Sequence, residues 1–121
     1  SDDIVDQIVD YLSEKNYISD GQFADWLVGQ RLEEKYPKGR VFLYSDLQKR
    51  GISKEIIEKR LSFITEEQEK EFAIKTAANK TKSYKQPYTS KTKQKLILYL
   101  KTRGFTWPVI QATVDSIFPE N

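Results

Sequence analysis

The amino-acid sequence predicts an all-α protein, built as tandem three-helix repeats that stack into a curved helical array. Three observations predict it. Leu43, Leu47, Arg50, Gly51, Ile52, Ser53, Ile56, Ile57 and Leu61 recur 53 positions later, without a gap, as Leu96, Leu100, Arg103, Gly104, Phe105, Thr106, Val109, Ile110 and Val114. Self-similarity at a fixed period is the mark of stacked repeat units. Apolar residues fall at helical spacing in every copy, and no segment alternates apolar and polar residues long enough to argue for a strand.

The order of elements follows from caps, periods and breakers. Ser1, Ile4, Val5 and Val9 lie 52 positions before Ser53, Ile56, Ile57 and Leu61. Residues 1–17 therefore read as the third helix of a preceding, truncated repeat, with apolar residues at Ile4, Val5, Val9 and Leu12. Residues 18–64 form one full repeat and residues 65–121 another. Each opens on the capping-box spacing, Ser19 with Gln22 and Thr65 with Gln68. The first helices then present Phe23, Trp26 and Leu27, and Phe72, Ala73, Ala77 and Ile74. Pro37 and Gly39 break one connection, and the stretch from Ser83 to Ser90, with Pro87 inside it, breaks the other.

The second helices are expected over Arg40–Lys49 and Lys91–Thr102, where Leu43 with Leu47, and Leu96 with Leu100, lie one turn apart. Gly51 and Gly104 end them, because glycine adopts the left-handed C-cap conformation without steric cost. Ser53 and Thr106 start the third helices almost at once, with Pro108 in a first turn where its missing N–H is harmless. Ile56, Ile57, Leu61 and Ile64, and Val109, Ile110, Val114 and Ile117, carry their buried faces. The chain contains no Met and opens within a repeat, so it reads as about two and a third repeats of a longer protein.

Composition narrows the chemistry. A chain of 121 residues suits one domain or a few small modules and excludes a single large enzyme. With 38% hydrophobic and 31% charged residues, and a mean hydropathy of −0.66, the surface is large relative to the core, as small stacked units require. Cys and His are absent, which removes disulfides, thiolate nucleophiles, imidazole bases and ordinary zinc sites. Glycine-rich phosphate loops are missing, and the serines and threonines lack a histidine base. No enzymatic activity and no cofactor are expected. No apolar run approaches a bilayer span and no basic-then-apolar leader opens the chain, so the expectation is a cytoplasmic protein with no membrane partner.

Charge is organised in blocks. The total is 20 basic against 18 acidic residues, but positions 80–103 hold Lys80, Lys82, Lys85, Lys91, Lys93, Lys95, Lys101 and Arg103 with no acid at all. Clustered like charge attracts a polyanion or an acidic protein face, although a lysine run can also be a solvated loop. At the other end, Asp2, Asp3, Asp6 and Asp10 share helical spacing and read as a solvated acidic face rather than a cation site.

The order Asp20, Phe23, Ala24, Trp26, Arg31, Gly39, Leu43, Leu47, Arg50, Gly51, Ile52, followed by an Ile-Ile third helix, resembles the RecX family of regulatory proteins. The later copy, with Lys95, Leu96, Leu100, Arg103, Gly104, Phe105 and Val109 to Val114, resembles that family's closing repeat. The resemblance implies a negative modulator of the RecA recombinase that binds the RecA–DNA filament and limits its growth, and so acts in recombination, DNA repair and the SOS response; a monomer is expected. The alternative is a small helical nucleic-acid-binding module that uses its lysine block directly on single- or double-stranded DNA.

Both readings draw on the same candidate contacts: Arg31, Lys38, Arg40, Lys49, Arg50, Lys82, Lys85, Lys91, Lys93, Lys95, Lys101 and Arg103. They would meet phosphates or acidic side chains of a filament groove. Arg50 and Arg103 also suit a purely structural role beside a C-cap. Trp26, Phe23, Phe42, Phe72 and Phe105 fall on helical faces or beside a turn and read as core anchors. Trp107, Tyr84, Tyr88 and Tyr99 stay open between packing and base stacking.

Overall fold

A computed structural model describes residues 2–15, 18–85 and 88–118. It contains seven helices and, among the described residues, no strand: α1 (Asp2–Glu14), α2 (Asp20–Leu32), α3 (Arg40–Lys49), α4 (Lys54–Leu61), α5 (Glu66–Thr81), α6 (Ser90–Thr102) and α7 (Trp107–Ile117). Ser1, Pro87 and the side chain of Asp2, all named above, lie outside the described residues.

Two three-helix units follow from two separate cores. Phe23, Ala24, Leu27, Val28, Leu43, Leu47, Ile52, Ile57, Leu61 and Ile64 fill the first, among α2, α3 and α4. Ala73, Ala77, Leu96, Leu100, Phe105, Val109, Ile110 and Val114 fill the second, among α5, α6 and α7. Five repeated positions, Leu43/Leu96, Leu47/Leu100, Ile52/Phe105, Ile57/Ile110 and Leu61/Val114, are buried in both, so the same pattern drives both burials. Both expected capping boxes form, at Ser19 with Gln22 and Thr65 with Gln68, and a third arises at Thr89 with Thr92, starting α6 one residue before the expected Lys91. Gly51 and Gly104 take φ of 84° and 85°, the left-handed C-cap conformation.

Several expectations need correction. Ile74 is exposed on α5, and Trp26, Phe72 and Phe42 are only partly buried. Phe42 lies against Gly104 at the joint between units, with the Lys38 ammonium 4.5 Å from its ring centroid. Thr106 occupies the N-cap position of α7 without making the side-chain cap bond; its hydroxyl reaches Glu69 Oε1 at 3.5 Å. Ile4 and Val5 are exposed because α1 packs mainly on α2 and leaves that face uncovered. The acidic face of that helix is not simply solvated, since Asp6 and Asp10 pair with Arg31 and Arg50.

The units meet where the end of α6 touches the start of α3. Gly39 N–H donates to the Arg103 carbonyl and Val41 N–H to the Gly104 carbonyl, both at 2.9 Å, while Arg103 Nη2 donates to the Tyr36 carbonyl at 2.5 Å. Gly39 is required here by proximity, because a Cβ on it would lie 2.4 Å from the Gly104 oxygen. Arg40 N–H donates to Glu69 Oε2 at 2.9 Å, so α3, whose Gly39 cap has no side chain, has its N-terminus capped by the other unit.

Candidate partner and nucleic-acid interface

The four candidate arginines are engaged within the chain. Arg31 reaches Asp6 at 3.1 Å and Asp46 at 3.4 Å; Arg50 reaches Asp46 at 3.2 Å and Asp10 at 2.7 Å, and its guanidinium stands 5.7 Å from the Phe23 ring centroid. The result is a ladder, Asp6–Arg31–Asp46–Arg50–Asp10, that fastens α1 to α2 and α3. Burial lowers both arginine pKa values, but the paired carboxylates outweigh it and leave them raised above the ordinary value. Arg40 donates to the Leu61 carbonyl at the end of α4 and to the Ile64 carbonyl just before α5, and pairs with Glu69; Arg103 holds Tyr36.

The lysines behave differently. Lys49, Lys82, Lys85, Lys91, Lys95 and Lys101 are exposed, and Lys38 and Lys93 are half-buried. Lysine's long apolar stem suits such positions, with the ammonium left to water or a partner. The fold gathers Lys85 and Lys95 with Ser83, Tyr84 and Thr92 around a cleft of about 300 Å³ at the start of α6. Three features there favour an anion: two ammonium groups, the positive end of a helix dipole, and a first turn free of acids. Burial, followed by the neighbouring Tyr99, raises the Tyr84 phenol pKa, so it stays a neutral hydroxyl.

Other candidates fall elsewhere. Lys49 and Arg50 line a cleft of about 430 Å³ with Asp10, Glu14 and Phe23, where the acids offset the bases. Lys93 borders a groove of about 270 Å³ between α6 and α7, with Ile97, Trp107, Gln111, Val114 and Asp115. Tyr88 packs on Phe118, and Tyr99 lies beneath the Lys80 ammonium, 4.6 Å from its ring centroid. Ser83 and Thr92 were not among the candidates read from sequence; the spacing of Thr89 and Thr92 was the signal that could have located that turn. No group of three or more acidic side chains that could hold a metal occurs among the described residues, and no described helix is long and apolar enough to cross a membrane.

Scanned against protein-family models, the chain matches none. Individual relatives are clearer. It is 32% identical over 116 residues to the regulatory protein RecX of Chlorobium limicola, an alignment covering 96% of this chain and 70% of that protein. The chain belongs to the RecX family of regulatory proteins. RecX of Leuconostoc mesenteroides is 34% identical over all 121 residues, which span 45% of its length. A crystal structure of RecX from Lactobacillus salivarius superimposes with a TM-score of 0.76 at 22% identity, over 98% of this chain and 76% of that one, and so shows the fold. A second RecX crystal structure gives a TM-score of 0.74 at 25% identity over 95% of this chain and 56% of that one. The chain thus spans about half the length of several RecX relatives and shares their all-α array of tandem repeats.

Proposed function

We propose that this RecX-family chain is a negative modulator of the RecA recombinase, which binds the RecA–DNA filament in the cytoplasm as a monomer and limits its growth or activity in recombination and repair. One observation carries the reading. The arginines hold the fold together, while Lys82, Lys85, Lys91, Lys95 and Lys101 stand exposed on a stretch that contains no acid. Lys38, Lys49 and Lys93 extend the set, and Arg31, Arg40, Arg50 and Arg103 position it. Such a surface suits an elongated anionic partner. Residues 1–17, 18–64 and 65–121 are one third helix and two full repeats in this reading, which assigns the chain no catalytic role.

The cleft of Ser83, Tyr84, Lys85, Thr92 and Lys95 favours a second reading, direct nucleic-acid binding, because hydroxyls and ammonium groups together suit a phosphate. Binding to RecA alone, to DNA alone and to the RecA–DNA filament at two salt concentrations separates the two. Preference for the filament supports the first reading. Equal binding to bare DNA with a steep salt slope supports the second.

A further inference from the structure

The repeat pairs the groove between α6 and α7 with a place in the first unit whose occupant is visible. Lys93, Ile97, Trp107 and Val114 stand where the first unit has Arg40, Tyr44, Lys54 and Leu61. There Arg40 lies along the end of α4, and its charge is met by the buried carboxylate of Glu69, supplied by α5 of the next unit. In the second unit Lys93 is half-buried at the rim of a groove floored by Ile97 and Val114 and walled by Trp107, which is 55% exposed. Asp115 lines the same groove, yet Lys93 makes no ion pair among the described residues.

A half-buried lysine that makes no ion pair, beside an exposed tryptophan and an aliphatic floor, is complementary to a ligand that brings both a carboxylate and an apolar side chain. We infer that this groove receives an acidic amphipathic helix of the protein partner, with a carboxylate on Lys93, as Glu69 sits on Arg40, and an apolar residue one turn away against Trp107 and Ile97. A phosphodiester strand would satisfy Lys93 but leave the aliphatic floor uncovered. α6 begins a turn earlier relative to the repeat than α3 does, and the Lys93 N–H is already bonded to the Thr89 carbonyl at 3.0 Å. The side-chain ammonium alone is therefore offered to the incoming acid. This inference rests on the filament-modulator reading and commits it, at this groove, to the protein component of the filament.

The test compares Lys93→Glu, Lys93→Arg, Trp107→Lys and, as a control, Lys54→Glu, an exposed position on α4. Trp107→Lys copies the residue that the first unit carries at the same position, and Lys93→Arg copies Arg40. Affinity is measured for RecA filaments assembled on single-stranded DNA and for the same DNA bare, beside a melting curve. The expected result is a loss of about tenfold or more in filament affinity for Lys93→Glu and Trp107→Lys. Lys93→Arg and Lys54→Glu should bind as wild type, and melting and bare-DNA binding should not change. Wild-type filament affinity in both groove variants overturns the inference while leaving the filament reading intact. An equal loss on bare DNA also overturns it, by making Lys93 a phosphate contact. A wild-type chain that ignores the filament removes both.

Discussion

Glu69 and Arg40 join the two repeats through helix termini rather than through a shared apolar core. The Glu69 carboxylate accepts from the Arg40 N–H at the start of α3, pairs with the Arg40 guanidinium at 3.6 Å and receives the Thr106 hydroxyl, while Arg40 itself donates to the Leu61 carbonyl that ends α4 and to the Ile64 carbonyl beyond it. Glu69 is 2% exposed, so removing it leaves the Arg40 guanidinium without its carboxylate, the α3 N-terminal N–H uncapped and the Thr106 hydroxyl without its acceptor. Glu69→Ala is expected to cost about 2–4 kcal/mol in urea unfolding. A cycle with Arg40→Met should show strong coupling, because each single change strands the other partner. Additive effects would mean that the pair does not carry the joint.

The two C-cap glycines share a backbone conformation but not a neighbourhood. Around Gly51 an added Cβ meets nothing within 4 Å, whereas at Gly104 it would lie 2.4 Å from Phe42 Cβ. Gly51→Ala is therefore expected to cost about 1–2 kcal/mol, the strain of the left-handed conformation alone. Gly104→Ala should add the cost of overpacking, about 1–3 kcal/mol more, and should loosen the joint between units. Thermal unfolding of the two variants measures the difference; equal losses would contradict the close contact.

Much of this fold was legible because its signals are local. A Ser or Thr three residues before Gln, a glycine after an apolar turn, and Leu at one-turn spacing each specify a helix end or face without knowledge of the rest of the chain. The joint was not legible, since Glu69 is one acid among four between positions 66 and 71 and only tertiary contact selects it. The same holds for the candidate surface. Arg31, Arg40, Arg50 and Arg103 resemble the lysines by charge, yet their planar, multidentate guanidinium groups are held by carboxylates and carbonyls of the chain itself.

The charge ladder ties α1 to the rest. Arg31 and Asp6 side chains are each 15% exposed, so salt screens them less than surface pairs. Arg31→Ala should speed hydrogen exchange across residues 3–12 well before it affects α6 and α7, with a loss of about 1–3 kcal/mol in the local protection of α1. The arginine pKa is raised in the folded state, so its contribution is present at neutral pH and is lost as pH rises through that value in strongly alkaline solution. Uniform acceleration over the whole chain would show that α1 and the cores open together.

Val5 and Ile57 occupy the same repeat position, yet the first is 43% exposed and the second fully buried. The apolar period identifies a helix face, but the cost of a substitution depends on what covers that face. α4 packs against both α2 and α3, whereas α1 packs mainly on α2 and reaches the end of α3 through the Asp10–Arg50 ion pair. Ile57→Ala should therefore cost about 2–5 kcal/mol, from lost transfer energy and the cavity left behind. Val5→Ala should cost less than about 1 kcal/mol, because little of its surface is removed from water and its site can collapse. Chemical denaturation of both variants, with unchanged m-values, measures the contrast. A Val5→Ala loss as large as that of Ile57→Ala would mean that the exposed face of α1 is covered in solution.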